Sequence, residues 1–276
     1  LYYLINITLI ILVSFPIYWA FVSSIKPPNE LITNTPTLFP INPTFESYER
    51  IWNLEPTSSR GNVRSAFTNS AIVSIGTVVL SAIISTLAAY ALTILRTPFR
   101  HFIFLLIIMP ILIPGISLLI PLYKLVKELG LMNSYLGLIL IHSTGMLTLG
   151  VFLMRNAFMS IPTSLREVAL LEGSSELRIM FTVMLPLAIT GLLTLMVFAL
   201  YGSWNDFILA FLFVNTIDME MLNVFLMKLT FAGSQFDTFW GLLNAGAIIS
   251  FVPIIIFYIF LQQYFVRGVT GSAVKE

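Results

Sequence analysis

The chain is a succession of apolar runs, each close to the length that crosses a bilayer as helix. Crossing the hydrocarbon core takes about 20 mostly hydrophobic residues, and six stretches meet that requirement, roughly 1–25, 66–95, 101–122, 135–155, 184–213 and 239–265. With 58% hydrophobic and 10% charged residues, the chain could not cover a soluble domain with polar surface. The expected fold is therefore all-α: a polytopic membrane protein with six transmembrane helices in a single domain, 1–276. The first run lacks a small-residue cleavage site, so it is expected to be a spanning helix and not a removable signal peptide. The absent initiator Met suggests a short preceding stretch.

Polar breaks separate the runs. Residues 26–65 are rich in Pro, Asn, Thr and Glu, too polar for lipid, and are expected as an external loop. Shorter breaks are RTPFRH (Arg96 to His101), KLVKELGLMNS (Lys124 to Ser134), residues 156–183 and NTIDMEMLN (Asn215 to Asn223). The linker Asn215 to Thr238 is expected as a long surface loop. A net charge of +1 gives no case for nucleic acid, and zero cysteines exclude disulfides and thiolate chemistry. Orientation from charge is a tie. With both termini inside, Arg96, Arg100, Arg155, Arg166, Arg178, Arg267 and Lys275 are cytoplasmic, while Lys26, Arg50, Arg60, Arg64, Lys124, Lys127 and Lys228 are external. The short loop with Arg96 and Arg100, and Arg267 just past the last helix, favour this orientation because basic residues near helix ends count most.

The polar stretch REVALLEGSSELRIMFTVMLP (Arg166 to Pro186) has the local chemistry of a docking element. Ser164 stands three residues before Glu167, a capping-box spacing that predicts a helix start near Leu165. Gly173 can take the left-handed conformation that ends a helix, and Ser174 or Ser175 can cap the next. The segment is expected to fold as helix, Gly bend, helix, with Leu165, Val168 and Leu171 as an apolar face. Glu172 and Glu176 suit an anionic membrane surface poorly, so a protein groove is the better host than lipid.

That segment closely resembles the EAA motif of ABC importer permeases: Glu-Ala-Ala, three residues, Gly, nine residues, Ile-x-Leu-Pro. The matching positions are Glu167, Ala169, Gly173, Leu185 and Pro186, with Val168 and Val183 as conservative departures. Further stretches resemble carbohydrate-uptake permeases related to the second membrane subunit of the maltose transporter: LFPINPTFESYERIW (Leu38 to Trp52), IPLYKLVKELGLMNSYLGLIL (Ile120 to Leu140), YGSWNDFILAFLFV (Tyr201 to Val214) and LQQYFVRGVTGSAVKE (Leu261 to Glu276). The resemblance implies a permease subunit of the bacterial or archaeal cytoplasmic membrane, with both termini inside. It would import a sugar or oligosaccharide, or alternatively glycerol phosphate or a related polyol derivative. Its implied partners are a homologous second permease, two ATPase subunits, an external solute-binding protein and membrane lipid. No cofactor is expected on this chain, ATP and Mg belonging to the ATPases. ATPase coupling would fall to residues 156–183 and the end of the motif, through Glu167, Ala169, Leu170, Gly173, Ser174, Leu185 and Pro186. The tail 266–276, with Gly268, Gly271, Ser272 and Ala273, would enter the interface between the ATPases. The Asn215 to Thr238 linker, around Ser234, Gln235 and Phe236, would reach the binding protein.

Polar side chains within spans usually face a bundle interior or a water-filled path. Asn69, Tyr201, Trp204, Asn205, Asp206 and Asn244 are the candidate translocation path, although hydrogen bonds between helices and an interfacial belt would use the same residue types. Helix prolines Pro16, Pro110, Pro114, Pro121 and Pro253 free carbonyls and bend helices. Other classes fare worse. His142 and Ser143 adjoin, so they point to different faces of a helix, and no GxSxG elbow accompanies them; His142 is expected as a hydrogen-bonded core histidine. The chain carries no GxxxxGK[ST] loop. An ion-coupled secondary carrier would want midplane carboxylates and inverted repeats, and Asp206 near a helix end is the one candidate.

Overall fold

The computed structural model describes residues 2–33, 35–57, 60–95, 97–231 and 236–273, except the side chains at 231, 236–239 and 261–273. Among these residues the regular structure is helical: α1 (Tyr2–Ser24), α2 (Pro28–Leu31), α3 (Glu46–Trp52), α4 (Val63–Thr93), α5 (Arg100–Ile108), α6 (Leu119–Glu128), α7 (Tyr135–Met159), α8 (Thr163–Leu171), α9 (Glu176–Ile179), α10 (Leu185–Leu187), α11 (Ile189–Trp204), α12 (Ile208–Phe213), α13 (Leu222–Phe231) and α14 (Phe236–Ala273). Four helical stretches are each long and apolar enough to cross a membrane, Tyr2–Ser24, Val63–Thr93, Tyr135–Met159 and Trp240–Phe260, and two bent pairs bring the total to six if each is one span. The described residues fall into two units, 1–70 with 214–255 and 71–213 with 256–276.

In the second unit the main helix pair is α7 and α11. A Cβ at Gly191 would stand 2.6 Å from the Ala157 methyl, so glycine is what lets the two backbones approach there. Tyr90, Met154, Phe158, Ile179, Met184 and Leu195 lie in the same buried cluster. Ser134 caps α7, its hydroxyl oxygen accepting from the Gly137 N–H at 3.0 Å.

Two expected spans are interrupted. The 101–122 run is not one straight helix: Arg100–Leu112 and Gly115–Glu128 meet at 96°. Pro110 cannot donate to the helix ladder, and Pro114 excludes helical geometry at the residue before it, so Ile113 is extended at φ −95°, ψ 121°. The Thr148 hydroxyl on α7 donates to the Ile107 carbonyl at 2.8 Å, filling a hydrogen bond beside the break. The 184–213 run stops at Trp204 and resumes at Ile208. Asp206 accounts for the restart: Oδ1 accepts from the Leu209 N–H at 3.2 Å and Oδ2 from the Ala210 N–H at 2.8 Å, satisfying the first free amides of α12.

In the first unit, the start of the polar 26–65 stretch is held by its own charges. Glu30 accepts from the Ile41 N–H at 2.8 Å and the Asn42 N–H at 2.9 Å, and Lys26 donates to the Thr37 carbonyl at 2.5 Å. The Asn215 to Thr238 linker is not a plain loop, since it holds a 3-10 turn, Ile217–Met219, and α13. Its apolar residues Leu222, Phe225 and Leu229 are buried, and that burial makes it helix. The same stretch is pinned to α4. Asn69 Nδ2 donates to the carbonyls of Asp218 at 2.8 Å and Glu220 at 2.9 Å, and the Ser70 hydroxyl oxygen accepts from the Leu222 N–H at 2.9 Å. Glu220 is 2% exposed, accepts from the Gly61 N–H at 2.8 Å and forms an ion pair with Lys228.

Lys228→Met should strand the buried Glu220 carboxylate. Because Lys228 is itself partly solvated, a loss of about 3 kcal/mol is expected, the low end for breaking a buried pair. The Glu220→Gln, Lys228→Met double variant should be less destabilised. Thermal unfolding of the purified protein in detergent checks both, and an unchanged Lys228→Met transition would contradict the assignment.

Candidate functional site

The Arg166 to Pro186 segment folds as two short helices about a glycine bend. α8 begins at Thr163, two residues earlier than the capping-box spacing suggested, and Ser164 and Glu167 form no capping box. Pro162 explains the shift: it is held at φ −60° and ψ 131°, and its carbonyl accepts from the Leu165 N–H at 3.3 Å, so the helix starts directly after it. Ser164 is then inside the first turn. Glu167 is exposed and has no hydrogen bond or ion pair among the described residues.

The bend itself forms as the spacing required. Gly173 has φ +81°, its N–H donates to the Leu170 carbonyl at 3.0 Å, and the Ser174 N–H reaches the Ala169 carbonyl at 3.0 Å. Those two bonds are a Schellman closure, which needs a left-handed residue at Gly173 and satisfies the last carbonyls of α8. Ser175 occupies the N-cap position of α9 by backbone, with no side-chain capping bond. Leu165, Val168 and Leu171 are exposed, while Ala169 is buried against the second unit's cluster. α8 thus keeps one face in its own unit and turns an apolar ridge outward.

A partly exposed polar contact braces this elbow. Arg166 on α8 forms a two-pronged ion pair with Glu176 on α9, its Nε donating to Oε2 at 3.2 Å. Tyr90, on α4, donates its hydroxyl to the same Oε2 at 2.9 Å. Hydrogen bonds from Arg166 hold the Glu176 carboxyl below the usual carboxylate range and outweigh the burial that pushes it up. Sequence reasoning missed this triad. Opposite charges ten positions apart across a glycine bend were visible, but Tyr90 lies far away in sequence and carries no local signal.

Beyond α9 the backbone widens into a π-turn, Met180–Met184, and continues into α10. Pro186 has no N–H to give the ladder, so the helix is weakened at the point where it turns by 80° into α11, with Ala188 at φ −89°, ψ 9°. Leu185 is half-buried and Pro186 exposed.

The candidate path residues are dispersed. Tyr201 is exposed, Trp204 is buried, and Asn205 donates back to the Tyr201 carbonyl at 3.0 Å. Asp206 caps α12 and lies 3.7 Å from His142 Nε2, so His142 makes no direct hydrogen bond to it. Asn69 is buried in the first unit, where its amide serves two carbonyls, and Asn244 donates to the Trp240 carbonyl at 2.8 Å. In the tail, the backbone of Gly268, Gly271, Ser272 and Ala273 continues α14, and their side chains and residues 274–276 lie outside the described residues. Ser234 and Gln235 lie outside them too, as does the side chain of Phe236.

Several helices long and apolar enough to cross a membrane, with a braced polar elbow among them, define the class as a multi-pass helical membrane protein. Residues 79–271 match the family described as "Binding-protein-dependent transport system inner membrane component", and the chain belongs to that family. It is 33% identical over 264 residues to the arabinooligosaccharides transport system permease protein AraQ of Halalkalibacterium halodurans, covering 95% of this chain and 91% of the relative. It is 31% identical over 261 residues to the trehalose transport system permease protein SugB of Mycobacterium tuberculosis, covering 94% and 92%. The fold is similar to a chain in the crystal structure of a bacterial ABC transporter involved in alginate import, with a TM-score of 0.82, 24% identity and 96% of each chain covered.

Tyr90→Phe removes a hydrogen bond to an ionised carboxylate and should cost about 1.5–3 kcal/mol, toward the lower end at this partly exposed pair. The Glu176 interaction carries a definite pH sign. Its lowered folded pKa means the contribution is present above the usual carboxylate range and is lost as pH falls through the folded value. The stability gap between the wild type and Glu176→Gln should therefore narrow as pH drops from about 5 toward 3. A gap constant across that window would show that the charge contributes nothing.

Proposed function

We propose that the chain is a permease subunit of an ATP-driven, binding-protein-dependent importer of a sugar or oligosaccharide. The observation that carries the reading is the elbow: an exposed ridge of Leu165, Val168 and Leu171 on a helix fixed by the Gly173 closure and the Arg166–Glu176–Tyr90 contact. Such a ridge suits a groove on a separate ATPase subunit. Family membership supports partners of that kind, and the names of AraQ and SugB favour carbohydrate as cargo. In this reading the chain pairs with a homologous permease, two ATPase subunits that hold ATP and Mg, and an external solute-binding protein. It performs no covalent chemistry itself. The membrane is the bacterial or archaeal cytoplasmic membrane, with residues 156–183 and both termini cytoplasmic and 26–65 external.

Mechanically, closure of the ATPases moves the docked ridge. Tyr90 passes that displacement to α4, and the π-turn and Pro186 bend pass it to α11. A rigid-body rotation of these helices then opens the path outward. Glu167, exposed on α8, is placed to pair with a basic residue of the ATPase. The small residues of the 266–276 tail reach the interface between the ATPases, and the linker around Ser234 to Phe236 faces the binding protein.

The test is uptake by the reconstituted complex with its co-encoded binding protein, using radiolabelled trehalose, maltose, arabinobiose and glycerol 3-phosphate. ATP-dependent uptake of one of the three sugars is expected. Uptake of glycerol 3-phosphate alone would select the polyol-phosphate alternative, and uptake without ATP would point to a secondary carrier. Topology is read separately: in intact cells a cysteine introduced by Ser175→Cys should resist an impermeant outside reagent, and ready labelling would invert the proposed orientation. Gly173→Leu should strain the bend by about 1–2 kcal/mol. Because a Cβ there meets no described residue beyond its chain neighbours within 4 Å, the added side chain projects outward. Insertion should survive while stimulated ATP hydrolysis falls; normal stimulation would remove the elbow from coupling.

A further inference from the structure

Inside the second unit, α4, α7, α11 and the start of α12 line a half-open cavity of about 220 Å³ bordered by Thr77, His142, Gly145, Gly202 and Asp206. Three of these residues are polar, and two, Thr77 and His142, make no side-chain hydrogen bond among the described residues, whereas Asp206 already caps α12. Thr77 is 1% exposed and its hydroxyl has no hydrogen-bond partner among the described residues. The His142 and Asp206 side chains are 9% and 13% exposed, with Nε2 and Oδ2 3.7 Å apart, too far for a direct hydrogen bond. Five further hydroxyls of α4, those of Ser74, Ser81, Ser85, Thr86 and Thr93, are buried without a partner among the described residues, and Thr77 is the one that borders the cavity.

We infer that this cavity is a carbohydrate subsite of the permease, in which Thr77, His142 and Asp206 bind adjacent hydroxyls of one sugar ring. The inference rests on the proposed import of carbohydrate and locates a contact for the cargo within this chain. Chemistry selects the ligand class. A sugar hydroxyl both donates and accepts, so it can bridge the 3.7 Å gap by donating to the carboxylate and accepting from the imidazole. A second hydroxyl serves Thr77. A phosphate would be repelled by Asp206, and an apolar ligand would leave Thr77 and His142 unsatisfied. Ile141 and Met146 in the lining offer apolar surface to the C–H face of a ring. The volume lies below the range of about 300–1,000 Å³ that houses drug-sized ligands, which suits a single ring and not a whole oligosaccharide.

The chain has no native cysteine, so one introduced by Gly145→Cys reports occupancy directly. Among the described residues outside its own helix turn, a Cβ at Gly145 meets nothing within 4 Å and one at Gly202 meets Met146 Cε at 3.6 Å, which makes Gly202→Cys the second reporter should the first fail to assemble. The assembled complex, without ATP or binding protein, is treated with N-ethylmaleimide in the presence of trehalose, maltose or arabinobiose, and labelling of this chain is followed by intact mass. A sugar present at about ten times its dissociation constant should slow labelling about tenfold. His142→Leu in the same background should abolish that protection, whereas a general conformational effect of sugar would survive it. Wild-type uptake of the same three sugars is measured in parallel. Uptake of a sugar that gives no protection overturns the subsite and leaves the importer reading standing. Neither uptake nor protection overturns both.

Discussion

A peptide group in hydrocarbon has no water to bond, so every departure from regular helix inside this protein has to be answered by another group of the chain. That constraint organises the second unit. At Pro110 the ladder fails and Thr148 from α7 supplies the Ile107 carbonyl with a donor. At the gap after Trp204 the exposed amides of α12 are taken by the Asp206 carboxylate. At Pro186 the helix relaxes into a π-turn before bending. Each break is placed by sequence; the first two are then stabilised by a specific polar side chain and the third by a widened backbone turn, which is why they are defined bends and not frayed ends.

Defined bends have a mechanical consequence. A straight apolar helix can slide or rotate in lipid at little cost, but a helix joined to its neighbour through a fixed angle transmits displacement. The 80° turn at Ala188 links the elbow to α11, and the Tyr90 hydroxyl links it to α4. In the proposed importer, two helices therefore receive the motion of one docking surface, and the cavity with Thr77 and His142 lies between helices that receive it.

The sequence made the class of fold legible because hydrophobic length is a direct physical requirement, and α1, α4 and α7 lie close to the runs expected for them. The glycine bend was legible too, since few other residues tolerate φ +81°. What misled was local propensity acting alone. Ser164 and Glu167 had the spacing of a capping box, yet Pro162 started the helix earlier. The linker after Val214 looked polar from its first residues, and the helix Leu222–Phe231 emerged only because tertiary packing buried Phe225 and Leu229. Asp206 was noticed as an intramembrane carboxylate, but its duty as a cap depended on a break that hydropathy averaged over.

α8 spans Thr163–Leu171 and α9 only Glu176–Ile179, and helices of such length are marginal in water on their own. Their order must come from outside the helices themselves. Part of it is burial of Ala169, Ile179 and Met180, part is the pair of Schellman hydrogen bonds, and part is the Arg166–Glu176–Tyr90 contact. None of these is large alone, since a backbone hydrogen bond contributes about 1 kcal/mol net, the Tyr90 bond to the Glu176 carboxylate about 1.5, and a partly exposed ion pair at most about 1. Together they hold both helices as one body. An elbow stabilised by many small contacts keeps its shape while its exposed ridge is pushed, yet no single contact is so strong that it would lock the segment against α4 throughout a transport cycle.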